Sequence, residues 1–312
     1  MRTVALAVLP IFFLILMGWT LHRYKALEDG FWAPAEKLAY YVFFPALLFR
    51  TTSTADLPFR TAGGAMAAGG LSVLAVAAAM ALARRFWRTD GPAFTSYFQG
   101  TIRPNTYIGL AVAEALFGGD GMSLIAAQTI VVIPLVNVLA VSVLIKWGDP
   151  ARPGTGGVWS LVRPVAANPL ILACLAGGGC NALGFGPPPV AASLLEILSR
   201  AALPIALLAT GAGLDFKSVS AAKGPIFASC VIKLLILPAL AAAIASILGV
   251  TGAPLAVVAI YGALPVSASS YVLSRQLGGD TPLMAGIITA STIASAVTIP
   301  TIVLAMAGRW AG

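Results

Sequence analysis

Long apolar stretches separated by short polar ones recur along the whole chain. A helix needs about 20 mostly apolar residues to cross the hydrocarbon of a bilayer. Ten stretches have about that length: 4–21, 37–54, 61–83, 94–117, 122–146, 165–183, 192–214, 225–248, 255–277 and 283–307. The segments between them carry turn formers, such as Gly118-Gly119-Asp120, Gly184 to Pro189 and Gly278-Gly279-Asp280. The longest connection, 147–164, is rich in Gly and Pro and lies near the middle of the chain. The pattern predicts an all-α integral membrane protein of ten transmembrane helices. Residues 1–146 form a first unit, 147–164 a cytoplasmic linker and 165–312 a second unit. The first apolar run is too long for a signal peptide and has no small-residue cleavage site, so it reads as a retained span.

Composition strengthens this picture. Of 312 residues, 59% are hydrophobic and 10% charged, with a mean hydropathy of +0.93. A soluble domain is about 45–50% apolar and about one quarter charged. That difference excludes an ordinary cytosolic enzyme or a nucleic-acid-binding module, because a soluble globule needs a far more polar exterior. The net charge of +8 is a matter of loop orientation. Loops after odd-numbered spans hold Arg23, Lys25, Lys37, Arg84, Arg85, Arg88, Lys146, Arg152, Arg163, Lys217, Lys223 and Arg275. The other side holds Arg2, Arg50, Arg60 and Arg309. Positive residues stay on the cytoplasmic side, which puts both termini in the periplasm of a bacterial inner membrane.

The two halves match one another. Pro45-Ala-Leu-Leu leads to Asp56 as Pro204-Ile-Ala-Leu-Leu leads to Asp215, and Gly118-Gly119-Asp120 matches Gly278-Gly279-Asp280. The offsets are 159 (45 to 204) and 160 (118 to 278). Each unit then contains five spans, and an odd number inverts the second unit relative to the first. Inverted repeats mark secondary transporters, whose sites lie near the midplane where discontinuous helices meet. Breaks of this kind occur at Gly100-Thr101-Ile102-Arg103-Pro104-Asn105 in span 4 and at Gly262-Ala263-Leu264-Pro265-Val266-Ser267 in span 9. Proline removes a backbone donor and clashes with the preceding turn. Freed backbone groups at membrane depth must face a cavity or find protein partners.

Candidate chemistry centres on Arg103. A cation in mid-span costs about 2.5–3.5 kcal/mol even on the lenient insertion scale, so it marks a functional site. The helix restarting at Pro104-Asn105 exposes N–H groups and a positive dipole end. Arg103, the Asn105 amide and the hydroxyls of Ser267, Ser269 and Ser270 together make a seat for a carboxylate. The competing reading is that Arg103 neutralises a buried acid such as Glu114, or snorkels to the surface. Glu114 is eleven residues further on, about 16 Å along a straight helix, and is a candidate for a coupling proton unless it reaches water at the span's end. Glu196 and Arg200 form an i,i+4 pair. Lys233 either compensates an acid or borders an aqueous pathway, and Gln128 and Asn137 suit interhelical hydrogen bonds. The three cysteines, Cys174, Cys180 and Cys230, have no metal-ligand spacing. His22 is the sole histidine, so no nucleophile–base relay is available within the spans. Neither a cofactor, a metal nor a catalytic residue is expected, and no nucleic-acid partner. Gly63-Gly64 and Gly69-Gly70 permit close helix contact, within the chain or in a homodimer.

Several motifs, in order along nearly the whole chain, resemble the auxin efflux carrier family of plant auxin exporters and bacterial organic-acid permeases. They are Phe44-Pro-Ala-Leu-Leu-Phe49, Arg103-Pro-Asn105 with Ile108-Gly-Leu110 and Leu116-Phe-Gly118, and Pro134-Leu-Val-Asn137. In the second half they are Asn168-Pro169, Leu203-Pro-Ile-Ala-Leu-Leu208 with Gly211 and Leu214, Ser291-Thr292 and Ile299-Pro300. The resemblance implies two inverted five-helix repeats, similar to bile-acid symporters and sodium/proton antiporters. It further implies a scaffold of spans 1, 2, 6 and 7, and a mobile transport unit of spans 3–5 and 8–10 moving as an elevator. The site falls where broken helices 4 and 9 cross, at Pro104 and Pro265, with Asn105 recognising the carboxylate. Sodium-coupled relatives carry acidic and amide residues near the span 9 break, whereas this chain has Ser267, Ser269, Ser270 and Tyr271 there. The expected function is therefore secondary transport of a small organic anion. The alternative is a sodium-coupled importer of amphipathic anions of the bile-acid-symporter type. A channel-like pore or membrane sensor is the competing class, distinguished by whether flux saturates.

Overall fold

A computed structural model describes residues 2–55, 59–86, 89–149 and 167–310. Asp56 and most of the expected 147–164 linker lie outside the described residues. The described chain is helical throughout: α1 (Arg2–Arg23), α2 (Asp29–Leu38), α3 (Phe44–Ser53), α4 (Phe59–Ala83), α5 (Gly91–Ile102), α6 (Thr106–Trp147), α7 (Pro169–Ala182), α8 (Pro189–Ala212), α9 (Phe216–Ala221), α10 (Lys223–Val231), α11 (Leu237–Ile247), α12 (Gly252–Ala263), α13 (Ser269–Leu277) and α14 (Thr281–Trp310). Two π turns, Ala39–Phe43 and Ile232–Ile236, join α2 to α3 and α10 to α11. Six helices are long and apolar enough to cross a membrane, and α7 and α12 are shorter apolar helices.

The difference from the ten stretches read in the sequence has local causes. Residues 94–117 and 255–277 each run through a break, leaving pieces too short to span alone. The 42 residues of α6 would extend about 63 Å if straight, twice the hydrocarbon thickness. The helix turns instead at Gly118, whose φ of 60° and ψ of −145° are open only to glycine. The element entering at 37–54 begins earlier than the apolar pattern does, at Asp29.

Two sets of helices can be distinguished by their packing. In the first, α1 lies on α8, and α3 on both α7 and α8. Gly18 and Gly211 bring α1 and α8 into backbone contact: a Cβ on Gly18 would collide with the Leu208 carbonyl, and one on Gly211 with the Ile15 carbonyl. Small residues that let backbones approach are the usual means of joining helices in lipid, where burial of apolar surface supplies little. In the second set, α4 packs on α6 and α11, α12 on α11 and α14, and α5 on α6 and α14. Three glycines considered for a homodimer contact meet neighbours within the chain: Gly64 faces Val250, Gly69 faces Gln128, and Gly70 faces Val131.

Helices α5 and α12 correspond closely. Both have 12 residues, and both ends are related by an offset of 161 (91 to 252, 102 to 263). Each ends two residues before a proline, Pro104 and Pro265. A residue before proline is pushed from the helical to the extended region, and both obey: Arg103 has φ −85° and ψ 113°, Leu264 φ −60° and ψ 139°.

Candidate functional site

The two breaks meet. Pro104 and Val266 form an antiparallel bridge, and the Asn105 N–H donates to the Pro265 carbonyl at 2.8 Å. The Val266 N–H donates to Ser291 Oγ of α14 at 3.1 Å. Backbone groups released by one broken helix are therefore satisfied by the other and by α14. The surrounding half-helices are tied together as well. Gln99 Nε2 of α5 donates to Ser274 Oγ of α13 at 3.0 Å, Ser96 Oγ donates to the Asp280 carbonyl at 2.8 Å, and the Asp280 N–H donates to the Pro92 carbonyl at 3.1 Å.

A cavity of about 780 Å³ opens against this crossing. Its floor is Arg103, Pro104, Asn105 and Thr106, with Ser267 and Ser269 from the second break. Glu36, Lys37, Tyr40 and Tyr41 form one wall, Ile133, Val136 and Asn137 of α6 another, and Asn168 joins them at the start of α7. Tyr107 also lines it, with its ring stacked on Phe44 at 4.3 Å.

Arg103 is 7% exposed. Its Nη2 donates to Ser269 Oγ at 3.0 Å, while its buried Nε and Nη1 have no hydrogen-bond partner among the described residues. Ser269 Oγ lies 3.0 Å from Ser267 Oγ. Ion pairs such as His22–Asp29, Arg50–Glu196 and Arg200–Glu196 occur elsewhere, and no carboxylate among the described residues pairs with Arg103. A buried guanidinium with unspent donors is costly unless an acceptor enters from the cavity.

Some sequence expectations need correction. The restart at Asn105 does not leave its first N–H groups bare: Asn105 Oδ1 accepts from Tyr107 N at 3.1 Å and from Ile108 N at 3.4 Å, a side-chain N-cap. The asparagine thus spends its oxygen on the helix and has its amide nitrogen left for the cavity that it lines. Ser270 does not join the seat. It is fully buried, its hydroxyl has no partner among the described residues, and it is absent from the cavity lining. Pro265 contributes its carbonyl to the crossing and no surface to the cavity. Glu114 is exposed and stands four residues before the Gly118 kink, away from the cavity. Glu196 accepts from Arg200 at 2.6 Å as the i,i+4 spacing implied.

Sequence reasoning missed Glu36, Lys37, Tyr40, Tyr41, Tyr107 and Asn168 as cavity residues. Asn168 had a readable signal, because Asn-Pro before an apolar run is a helix start, and its Oδ1 accepts from Leu170 N at 2.9 Å. Asn137 lines the cavity, and Gln128 is fully buried with no hydrogen-bond partner among the described residues. The expected interhelical bond of Gln128 is not formed.

Outside the spans, Asp215 caps α9. Its carboxylate accepts from Ser218 Oγ at 2.6 Å and from the N–H groups of Lys217 and Ser218. The Ser218 hydroxyl bond, foremost, holds it below the usual carboxylate range.

Long apolar helices, interrupted and crossed beside a buried cation, define the class of a multi-pass membrane transporter. Residues 158–303 match the family described as "Membrane transport protein". An "Uncharacterized transporter" of Methanothermobacter thermautotrophicus is 23% identical over 307 residues, covering 94% of this chain and 95% of the relative. Both matches support a membrane transporter and agree with the resemblance to the auxin efflux carrier family.

Proposed function

We propose that the protein is a secondary transporter of a small organic anion, a carboxylate, working by elevator-type alternating access. In this reading its helices form ten spans in two inverted five-helix repeats. The set containing α1, α3, α7 and α8 is the scaffold, and the set built on α4–α6 and α10–α14 carries the site. The observation that carries the proposal is the guanidinium of Arg103, nine-tenths buried, with two nitrogens unspent and no paired acid. It lines the cavity at the helix crossing.

Charge supports an anion. Arg103 follows the C-terminus of α5, and the N-termini of α6 and α13 bring their positive ends to the same place. A carboxylate entering there accepts a paired fork from Arg103, assisted by the Asn105 amide nitrogen and the Ser267 and Ser269 hydroxyls. The remaining wall of Tyr40, Tyr41, Tyr107, Ile133 and Val136 suits an organic body and leaves room for more than the smallest acids. An inner-membrane location with both termini periplasmic follows from the distribution of positive residues.

The test is a thermal-shift screen of the purified protein against small carboxylates, each paired with its neutral amide. Ligand binding raises apparent stability by mass action. The expected result is a concentration-dependent rise for one or more acids and none for the amides. Equal rises for acid and amide would remove the anion from the proposal.

A further inference from the structure

The large cavity holds a second charged group that the carboxylate seat does not use. Glu36, in α2, stands on the wall of the cavity whose floor is Arg103. It is half-buried and is the one carboxylate among the described lining residues. No ion pair or hydrogen bond to another described residue meets it. Lys37 also lines the cavity but is exposed, and adjacent residues on a helix do not face each other. The cavity therefore keeps an unpaired anion on α2 and an unpaired cation at the first break.

Aromatic rings accompany Glu36. Tyr40 follows it by four residues, and both lie within electrostatic reach of the Tyr107 hydroxyl. The Tyr40 and Tyr41 rings meet edge to face, with centroids 5.0 Å apart and planes at 89°. Tyr107 is held from behind by its stack on Phe44. Ring faces attract cations electrostatically, and a carboxylate beside them adds a charged acceptor. Such a wall recognises an ammonium and repels a second carboxylate. A simple acid on Arg103 would bring a second negative charge into the space that holds Glu36. A molecule with one charge of each sign matches both ends.

We propose that Glu36, with Tyr40, Tyr41 and Tyr107, forms an ammonium subsite, and that the ligand of the cavity is an aminocarboxylate. Its carboxylate goes to Arg103 and its ammonium to Glu36. The inference rests on the reading of Arg103 as the carboxylate seat and adds a second anchor to it. Ile133, Val136 and Val141 line the same cavity and suit the carbon body. The separation of the two charges in the ligand then selects among aminocarboxylates.

The test is thermal-shift titration of the purified full-length protein with matched pairs: L-leucine and 4-methylpentanoate, L-phenylalanine and 3-phenylpropanoate, 6-aminohexanoate and hexanoate. The members of a pair share a carbon chain and a carboxylate and differ in the ammonium. In at least one pair the amino form is expected to bind the wild type about tenfold more tightly or better, the scale of a hydrogen bond to a charged group. Glu36→Gln keeps the size and removes the charge, and is expected to lose most of that preference. Equal binding of both forms in every pair, or tighter binding of the deaminated forms, would overturn the subsite and leave the carboxylate seat standing. A preference that survives intact in Glu36→Gln would overturn it as well. Stabilisation by none of the six compounds would also overturn the subsite, and the wider carboxylate screen then decides whether the anion seat stands alone. The wild-type comparison decides even if the variant fails to fold.

Discussion

The two breaks at the crossing share a backbone but not a chemistry. Each follows a 12-residue helix and is set by a proline one residue beyond an extended residue. The first break, Arg103-Pro104-Asn105, turns its cation toward the large cavity and caps its own restart with an asparagine. The second, from Leu264 to Ala268, has one hydroxyl of its own, that of Ser267, and the helix before it meets a cation from another segment, Lys233, which does not line that cavity. Duplicated geometry has been given two different tasks. The first break lends its cation to the lining of a space large enough for a ligand, while the carbonyl at the end of α12 is met internally by Lys233. The difference teaches that the fold itself makes the crossing, and that the side chains beside it decide where each break has its charge.

Replacing Arg103 should break this comparison most severely. Hydrogen bonds to charged groups contribute about 1.5–3 kcal/mol each, so losing a two-pronged contact is expected to weaken carboxylate binding by about a hundredfold or more. Titration of Arg103→Gln by thermal shift, with any acid that stabilises the wild type, measures this. The variant should fold normally or melt slightly higher, because a buried charge without a paired acid has been removed.

Asn105 separates the cap from the site. Asn105→Ala is expected to lose about 1 kcal/mol of stability along with affinity. Asn105→Asp retains the capping oxygen, so its midpoint should stay within about 0.5 kcal/mol of wild type, yet its new charge opposes an incoming carboxylate. A folded Asp variant with undiminished carboxylate binding would show that the asparagine serves the helix alone. Ser269→Ala should have a smaller effect, because it removes one acceptor of Arg103 and one hydroxyl. A loss of about threefold to tenfold in affinity with little change in stability is expected from comparative titrations. Ser270→Ala, on the same short helix but outside the cavity, should leave affinity unchanged.

Much of this architecture can be read in the sequence, because lipid imposes severe rules on it. Apolar length marks the helices, proline dictates the extended residues at 103 and 264, and a mid-span arginine points to the candidate site. The rest escapes for equally physical reasons. In helices apolar all round, periodicity does not say which face meets a cavity, so Tyr107 and Asn137 on α6 gave no directional signal. The run Ser267 to Ser270 reads as one polar patch, but the rotation of α13 sends Ser269 to Arg103 and buries Ser270. Glu36 and Tyr40 come to the site through the α2 helix and the π turn after it, which begin outside the apolar pattern. The bond from Lys233 to Gly262 joins residues 29 apart in sequence and depends on how α10–α11 meets the end of α12. Neither element predicts that meeting by itself.

The most direct trial of the central claim is uptake into proteoliposomes of a radiolabelled carboxylate that stabilises the wild type, compared with Arg103→Ala reconstituted in equal, folded amount. Saturable uptake by the wild type and none above empty vesicles for the variant is the predicted result. Undiminished saturable uptake by Arg103→Ala would contradict the account.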